Sequence, residues 1–159
     1  YKREGKIKMK LMILNGPNIN LLGQREPGIY GRENYETLCR MIRDKGRSLG
    51  VETEIRQTNS EGELVTYIQE AQQDCSGLII NPAAYTHYSI AVLDALQAVS
   101  VPAVEVHISH IYGREEFRHH SVTAPACIAQ ICGFGLRGYL LAMEGLTETL
   151  REAQSGNNK

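Results

Sequence analysis

The chain has 159 residues, enough for a single domain with a sizeable hydrophobic core. Its 17 lysines and arginines nearly balance its 18 aspartates and glutamates, which gives a formal charge of −1. This balance excludes the basic excess that is typical of proteins that bind nucleic acids or anionic membranes. The longest apolar runs are also far too short to span a bilayer, which excludes a transmembrane protein.

The polar ends of the chain and its cysteines indicate where the protein works. Residues 1–8 read YKREGKIK, without the apolar core of a signal peptide, and are interpreted as a flexible leader or as residues added to the natural protein. Residues 154–159 are expected to be a frayed tail. None of the four cysteines belongs to a C-x-x-C pair, which favours reduced thiols and a cytoplasmic protein.

Apolar runs and helical spacing alternate along the chain. The run KLMILN (10–15) predicts a buried strand that ends in an Asn-Gly-Pro turn. Ser60 and Glu63 form a capping-box signature at the start of one helix, and Gly50 marks the end of the helix before it. In chain order the pattern predicts strand 10–15, helix 33–50, strand 51–57, helix 60–73, strand 77–81, helix 89–99, strand 102–108, strand 124–135 and helix 136–153.

Short strands with helices between them favour a parallel sheet, because parallel neighbours need crossover connections. We expect one α/β domain over residues 1–159, a flavodoxin-like, doubly wound sheet of five parallel strands in a three-layer structure. Strand 51–57 alternates in character and is expected at an edge. Such sheets bind ligands beyond the carboxyl ends of their strands, at the switch point between the first and third strands.

Polar side chains follow three of the apolar strands at the edge where this architecture binds ligands. Each one alone is readily explained as a turn residue or as a histidine with an ordinary hydrogen bond. Together, at one edge of the sheet, they favour a functional site. They are Asn15 and Asn18 after the first strand, Asn81 and His87 after the third, and Glu105, His107 and Ser109 on and after the fourth.

Glu105 and His107 are two residues apart on a predicted strand, so their side chains share a face. A carboxylate beside an imidazole fixes its tautomer and raises its pKa, which suits a general acid near neutral pH. A buried ion pair without a catalytic role explains the same spacing. Arg114 and Arg118 are four apart and would project on one side of a helix, where they could bind a carboxylate, reach hydroxyl groups or bridge subunits; a solvated charged turn is the alternative.

Metal and cofactor sites find little support in the sequence. The five histidines include no His-x-x-x-His pair and no Cys/His cluster, so we expect no metal. The first strand is not followed by G-x-G-x-x-G, and no P-loop motif occurs, so we expect no nucleotide cofactor. No lysine stands at a predicted strand end to form a Schiff base. The chemistry left is acid–base chemistry.

The loop LLGQREPGIYG (21–31) supplies a base that the strand ends lack. Tyrosine has an ordinary pKa of about 10, and a cation in close contact lowers it by roughly one to three units. Arg25 is five residues from Tyr30, and glycines in the loop allow it to close as a lid over the site. With Tyr30 as base and His107 as acid, the pattern predicts proton abstraction followed by elimination.

The motifs LNGPNINLLGQREPGIYG, IINPAAYTH, VEVHIS and REEFRHHS resemble, in order and spacing, those of the type II 3-dehydroquinate dehydratases. The resemblance extends from Lys10 to about Leu146. It implies a shikimate-pathway lyase that converts 3-dehydroquinate to 3-dehydroshikimate by anti elimination of water through an enolate, with no cofactor. It also implies a dodecamer built of trimers.

The resemblance implies a role for each matching catalytic residue. Tyr30 looks like the base that takes the C2 proton, and Arg25 like the lid residue that lowers its pKa. Asn18 looks like the residue that stabilises the enolate through a held water. His107 looks like the acid for the departing hydroxyl, with Glu105 orienting it.

The resemblance also implies a set of substrate contacts. Asn81, His87 and Arg118 match contacts to substrate hydroxyls, and the Ile108 and Ser109 amides match the carboxylate site. Arg114 is expected in a supporting role, and Asp94 matches a residue that family members contribute to a neighbour's site.

Three positions depart from the family's usual residues, and two other functions stay open. Tyr88 stands where Thr is usual, Leu93 where Arg is usual and His110 where Asn is usual. None of these is a central catalytic position, but Tyr88 and Leu93 lie close to Asp94 and bear on contacts between subunits. The alternatives are a non-enzymatic flavodoxin-like binding module and a dehydratase of a related hydroxy-ketone acid.

Overall fold

The computed structural model describes residues 8–24, 26–30 and 32–157 and contains a five-stranded sheet. All strand pairs are parallel and the order is β2-β1-β3-β4-β5, which confirms the flavodoxin-like, doubly wound fold and the edge position of the second strand. The strands are β1 (Lys10–Asn15), β2 (Glu52–Gln57), β3 (Gly77–Asn81), β4 (Ala103–His107) and β5 (Ala129–Cys132). The helices are a single turn α1 (Pro27–Tyr30), then α2 (Tyr35–Leu49), α3 (Glu61–Asp74), α4 (Ile90–Ala98) and α5 (Arg137–Gly156).

The sheet lies between two layers of helices, as the sequence predicts. Alternate residues of β1 point to opposite faces, so Leu11 and Ile13 pack with α2 and α5 while Met12 and Leu14 pack with α3 and α4. These four side chains are at most 1% exposed. Burial of each contributes about 1.5–3 kcal/mol, and this apolar sandwich therefore holds the strand ends in place.

The helix ends follow the capping signals only in part. The Asn34 side chain accepts a hydrogen bond from the Thr37 amide, and Gly50 ends α2 in a left-handed conformation with φ of 70°. The Ser60 side chain accepts from the Glu63 amide, which is half of the predicted capping box. The other half is absent from the described contacts, because the Glu63 carboxylate accepts from the Thr58 hydroxyl instead.

Two elements near the carboxyl terminus differ from their predicted bounds. The strand predicted over 124–135 shortens to β5 because Pro125 lies in a 3-10 turn and Gly133, with φ of 92°, ends the extended run. Helix α5 continues to Gly156, three residues beyond its predicted end, and the Ser155 hydroxyl donates to the Arg151 carbonyl within it. Of the predicted leader 1–8, only Lys8 belongs to the described residues.

The loop 21–31 contains a short helix. Pro27–Tyr30 form one helical turn inside the loop 21–31, where the sequence predicts a glycine-containing lid loop without a helix. Within the described ranges, no helix combines the length and the apolar character needed to cross a bilayer.

Candidate active site

A cavity of about 260 Å³ opens beyond the carboxyl ends of β1, β3 and β4, at the switch point of the sheet. We call it the strand-end cavity. Its wall is formed mainly by the segments that directly follow the three strands, so the apolar sandwich fixes where it lies. Eight of the predicted site residues line it: Asn18, Asn81, His87, His107, Ile108, Ser109, Arg114 and Arg118.

Asn18 is held in an unusual backbone conformation at one wall. Its φ of 69° lies in the left-handed region, which asparagine tolerates better than most residues. The Asn18 amide donates to Asn59 Oδ1 at 3.1 Å, and Gln57 Nε2 donates to the same oxygen at 3.1 Å and to the Gly16 carbonyl at 3.2 Å. The end of the edge strand β2 therefore braces the Asn18 loop, a contact that no motif in the sequence indicates.

Glu105 is completely buried behind His107 and is surrounded by hydrogen-bond donors. His107 Nε2 lies 3.0 Å from Glu105 Oε2, which brings together the pair expected from the sequence. The same oxygen accepts from Ser121 Oγ at 2.9 Å and from Gln130 Nε2 at 2.7 Å. The other carboxylate oxygen accepts from the hydroxyls of Thr86 and Thr123. Five donors thus meet one carboxylate.

These donors decide the charge of Glu105. Burial alone would raise the pKa of Glu105, but hydrogen bonds from His107, Thr123 and Gln130 and the positive charge of His107 lower that pKa to about 2. Glu105 is therefore a carboxylate at neutral pH and can only accept hydrogen bonds. His107 Nε2 consequently carries a proton that it donates to Glu105, and Nδ1 is the ring nitrogen that can exchange a proton with a ligand.

Sequence reasoning missed the residues around Glu105 other than His107. Thr86 comes from the turn after β3, whereas Ser121 and Thr123 come from one loop before β5, and hydroxyl residues are common in such loops. Gln130 had a signal, because it is the direct register partner of Glu105 on the neighbouring strand β5. A polar residue beside a buried carboxylate on adjacent parallel strands is a recognisable pair once the strand order is predicted.

His87, which also lines the cavity, has a fixed tautomer. Its Nδ1 lies 2.9 Å from the His120 carbonyl, so Nδ1 donates and Nε2 remains an acceptor. Partial burial lowers the pKa of His87, against the raising effect of that hydrogen bond. A largely neutral His87 thus offers the cavity a hydrogen-bond acceptor.

Arg114 and Arg118 line the cavity without lying on one helix. Arg114 follows the 3-10 turn Ile111–Gly113 in extended conformation, and Arg118 ends a separate turn, so the helical arrangement considered for them is absent. The Glu115 carboxylate brings them together: it lies 2.8 Å from Arg118 Nε and 3.9 Å from Arg114 Nε. Arg114 Nη1 also donates to the Ser109 hydroxyl at 3.3 Å.

The remaining predicted residues lie elsewhere. Asp94 is on the exposed face of α4 and does not line the strand-end cavity. Arg25 and the side chain of Tyr30 fall outside the described residues, so their pairing stays a prediction. Ile29, on the lid loop, lines a second cavity. Ile108 lines both this cavity and the strand-end cavity.

One group of metal-ligand side chains occurs among the residues that the structure describes. Ligand atoms of Glu54, Asp74 and Cys75 lie within 4.8 Å of one another, and none of these three residues lines the strand-end cavity. Lys10 Nζ lies 2.8 Å from Asp74 and 3.4 Å from Glu54, and Arg56 Nη2 lies 2.9 Å from Glu54, so both carboxylates already have cationic partners. Burial raises the pKa of the Cys75 thiol to about 11, which disfavours the thiolate that binds metals. This group is an ion-pair cluster.

Comparison with known proteins places the chain in a family. The family model described as "Dehydroquinase class II" matches residues 9–147. A 3-dehydroquinate dehydratase of Clostridium acetobutylicum is 54% identical over 142 residues, which cover 89% of this chain and 99% of that protein. A 3-dehydroquinate dehydratase of Dictyoglomus turgidum is 53% identical over 138 residues, covering 87% and 95% respectively.

Solved structures agree with the sequence comparison. The crystal structure of type II dehydroquinase from Butyrivibrio crossotus superposes with a TM-score of 0.86 at 52% identity, over 87% of this chain and 97% of that one. The type II dehydroquinase from Propionibacterium acnes gives a TM-score of 0.85 at 45% identity, over 89% and 99%. The resemblance carried by the four motifs is thereby confirmed: the chain belongs to the class II dehydroquinase family.

Proposed function

We propose that the strand-end cavity dehydrates 3-dehydroquinate to 3-dehydroshikimate, the reaction implied by the names of the relatives. The observation that carries the proposal is the buried Glu105 carboxylate bonded to His107 at the cavity wall. A carboxylate kept ionised in the interior stabilises an imidazolium beside it, and such an imidazolium can protonate a leaving hydroxyl. A binding module without catalysis has no need of this pair, and family membership does not favour it.

The first half of the reaction removes a proton. Tyr30, as the phenolate favoured by Arg25, takes the proton from C2 of the substrate, and the electron pair of the C–H bond moves toward the C3 carbonyl oxygen to form an enolate. Asn18, beside the cavity, stabilises the negative oxygen through a water molecule. Lid closure excludes other water and keeps the phenolate and Arg25 together.

The second half expels the hydroxyl. The enolate electrons return to form the C1–C2 double bond, the C1–O bond breaks, and His107 gives the leaving oxygen its proton so that water departs. The proton on Tyr30 returns to solvent and His107 is reprotonated before the next turn. Glu105 keeps its charge throughout, because its pKa of about 2 is far below neutral pH.

Substrate recognition follows from the polarity of the wall. The Ile108 and Ser109 amides, with Arg114 supporting them, are assigned to the substrate carboxylate. Asn81, His87 and Arg118 are assigned to its hydroxyl groups. Two arginines at the cavity complement an anionic substrate, and among the described residues that line the cavity there is no lysine able to form a Schiff base.

We also propose that the protein is a cytoplasmic homo-oligomer, a dodecamer built of trimers. Each copy is one catalytic domain over residues 1–159, and its Asp94 completes the site of a neighbouring copy. Tyr88 and Ile90, near Asp94, are 61% and 56% exposed, which suits a surface that another copy covers. The four cysteines are free thiols, which suits a reducing compartment.

The decisive test compares the wild type with Tyr30→Phe and Arg25→Ala in a dehydroquinate assay that follows the absorbance of the conjugated enone product. We expect each substitution to lower kcat by roughly a hundred- to ten-thousandfold, the usual contribution of an acid–base group. Tyr67→Phe, on α3 and away from the cavity, removes a tyrosine hydroxyl as a control and is expected to keep full activity.

The outcomes separate the candidate reactions. Near-normal turnover by Tyr30→Phe would remove tyrosine from the base role. Inactivation by borohydride in the presence of substrate, with a covalent adduct, would mean a Schiff base. Turnover of a related hydroxy-ketone acid but not of dehydroquinate would redirect the proposal to that substrate.

A further inference from the structure

Tyr139 of α5 is the largest side chain that is fully buried, and it carries a hydroxyl to the root of the strand-end cavity. The hydroxyl lies 2.6 Å from Asn15 Oδ1 at the end of β1 and 2.8 Å from Asn81 Nδ2 at the end of β3. Asn81 lines the cavity, whereas Tyr139 does not. Three elements distant in sequence thus meet in one hydrogen-bond chain, Asn15–Tyr139–Asn81.

The direction of this chain follows from counting protons. A neutral tyrosine has one proton to donate, and the amide oxygen of Asn15 can only accept it. The phenolic oxygen therefore accepts an N–H from Asn81 Nδ2. On the other side, Asn81 Oδ1 accepts from the Ala83 amide at 3.0 Å. Both ends of the Asn81 amide are fixed, and one N–H remains for the cavity.

The opposite orientation of the Asn81 amide is disfavoured at both ends. A flip would place the NH₂ group against the Ala83 N–H and the carbonyl oxygen against a phenolic oxygen whose proton is engaged by Asn15. Burial raises the pKa of Tyr139 well above its ordinary value, so the hydroxyl keeps its proton at all working pH values. Tyr139 thus works in the neutral form, unlike Tyr30.

The backbone around Asn81 is rigid, so the amide is the part that Tyr139 controls. The Gly16 amide donates to the Asn81 carbonyl at 2.8 Å, which joins the ends of β1 and β3. A Cβ added at Gly16 would lie 2.6 Å from the Pro82 carbonyl oxygen, so only glycine permits this approach. Loss of the Tyr139 hydroxyl should leave this backbone in place.

We propose that Tyr139 is a positioning residue for the reaction: it holds the Asn81 amide so that an N–H points at a substrate hydroxyl. The assignment rests on the proposed function, because it takes Asn81 to contact the substrate. Tyr139 itself touches no reacting atom. Tyr139 acts through its hydrogen bond to Asn81, and Asn81 in turn donates to the substrate.

The test is the substitution Tyr139→Phe, which keeps the ring in the core and removes only the oxygen. We expect KM for dehydroquinate to rise about three- to tenfold, the effect of one misplaced neutral hydrogen bond, with kcat changing less than twofold. A contact made equally to substrate and transition state changes KM alone. Circular dichroism and thermal melting confirm that the variant is folded.

Two further variants separate positioning from a general loss of stability. Thr147→Val removes another buried hydroxyl on α5, one that has no hydrogen-bond partner among the described residues, and should leave KM unchanged. In an Asn81→Ala background, Tyr139→Phe should raise KM no further, because the amide it positions is gone. If Tyr139→Phe does not fold, Asn15→Ala frees the tyrosine proton to compete for Asn81 Oδ1 and should raise KM likewise.

The results distinguish this inference from the proposed function. Wild-type turnover of dehydroquinate together with an unchanged KM in folded Tyr139→Phe would overturn the positioning role alone. An equal KM increase with and without Asn81 would do the same. Absence of turnover by the wild type would overturn the proposed function and this inference with it.

Discussion

At the scale of single residues, Glu105 shows how this protein keeps a charge in its interior. An isolated carboxylate is far too costly to bury, and in water it would be solvated on both oxygens. Here five side-chain donors replace that solvation, two on one oxygen and three on the other. The carboxylate is therefore a fixed charge, and in the proposed reaction the proton given to the leaving hydroxyl comes from His107 and not from Glu105.

This arrangement predicts a specific loss of stability in acid. The pKa of Glu105 is about 2 in the folded protein against an ordinary 4.5, so its ionisation stabilises the folded state above pH 4.5. That stabilisation, on the order of 3 kcal/mol, should be lost as the pH falls from 4.5 towards 2. Glu105→Gln has no such group to titrate.

Urea unfolding of the wild type and of Glu105→Gln across this pH range measures the effect. The wild type should have the larger free energy of unfolding at neutral pH, and the gap should shrink steadily in acid. Other carboxylates titrate in both proteins and cancel in the difference. A gap that stays constant as the pH falls would mean that Glu105 does not titrate as proposed.

The sequence predicts the Glu105–His107 pair and not the donors around it, for a physical reason. Alternation along one strand is local, so a spacing of two residues is enough to place both side chains on one face. Thr86 meets Ser121 and Thr123 only because two segments distant in sequence return to the same strand end. Tyr139 was likewise hidden, because a tyrosine in an apolar helical pattern gives no sign of where its hydroxyl points.

At the scale of elements, β2 pairs with β1 and also supports the wall of the strand-end cavity. Its end carries Gln57 and leads to Asn59, which together hold the Gly16 carbonyl and the Asn18 amide. The next residue, Ser60, begins α3 through its side chain. Two neighbouring residues therefore have different roles: Asn59 supports the cavity wall, and Ser60 caps the helix.

The pair Asn59→Ala and Ser60→Ala separates these duties. Asn59→Ala leaves the Asn18 amide without its acceptor, and kcat/KM should fall about three- to tenfold. Ser60→Ala removes the helix cap and should lower the free energy of unfolding by about 1 kcal/mol, with kcat/KM kept. Enzyme kinetics and urea unfolding on both variants provide the crossed comparison. Equal effects on activity would mean that Asn59 does not act through Asn18.

The elements that the sequence predicts best are those with a continuous apolar run. β1, β3 and β4 are buried on both faces, so each forms a continuous apolar run, and the helices between them require a parallel sheet. β5 is short, partly exposed and bounded by Pro125 and Gly133, so its predicted range was too long. The lid turn Pro27–Tyr30 gives too few residues for a periodic signal.

At the scale of the whole molecule, the proposed acid and the proposed base lie on different parts of the fold, the acid at the edge of the sheet and the base on the lid loop. The proposed acid His107 and the Asn15–Tyr139–Asn81 hydrogen-bond chain are fixed to strand ends that two apolar layers hold. The proposed base, Tyr30, belongs to the loop 21–31, which we propose closes over the cavity. In this proposal the general acid stays in place in the empty enzyme, and the base joins it only when the substrate has entered.

The proposed assembly extends the site across copies of the chain, and it is tested through α4. Ile90 is 56% exposed at the start of α4, four residues before Asp94. Ile90→Glu would place a charge on the surface that we assign to the neighbouring copy, so light scattering should report a shift from dodecamer or trimer to smaller species. Specific activity should fall with it, because Asp94 would no longer reach a second cavity.

Leu141→Glu is the matched control, since Leu141 is also an exposed apolar residue, 43% accessible, but lies on α5 in the opposite helix layer. It should leave mass and activity unchanged. Dissociation of Leu141→Glu but not of Ile90→Glu would move the interface to α5. A wild type that is monomeric and fully active would remove Asp94 from the site altogether, because on one copy it lies on an exposed helix face outside the strand-end cavity.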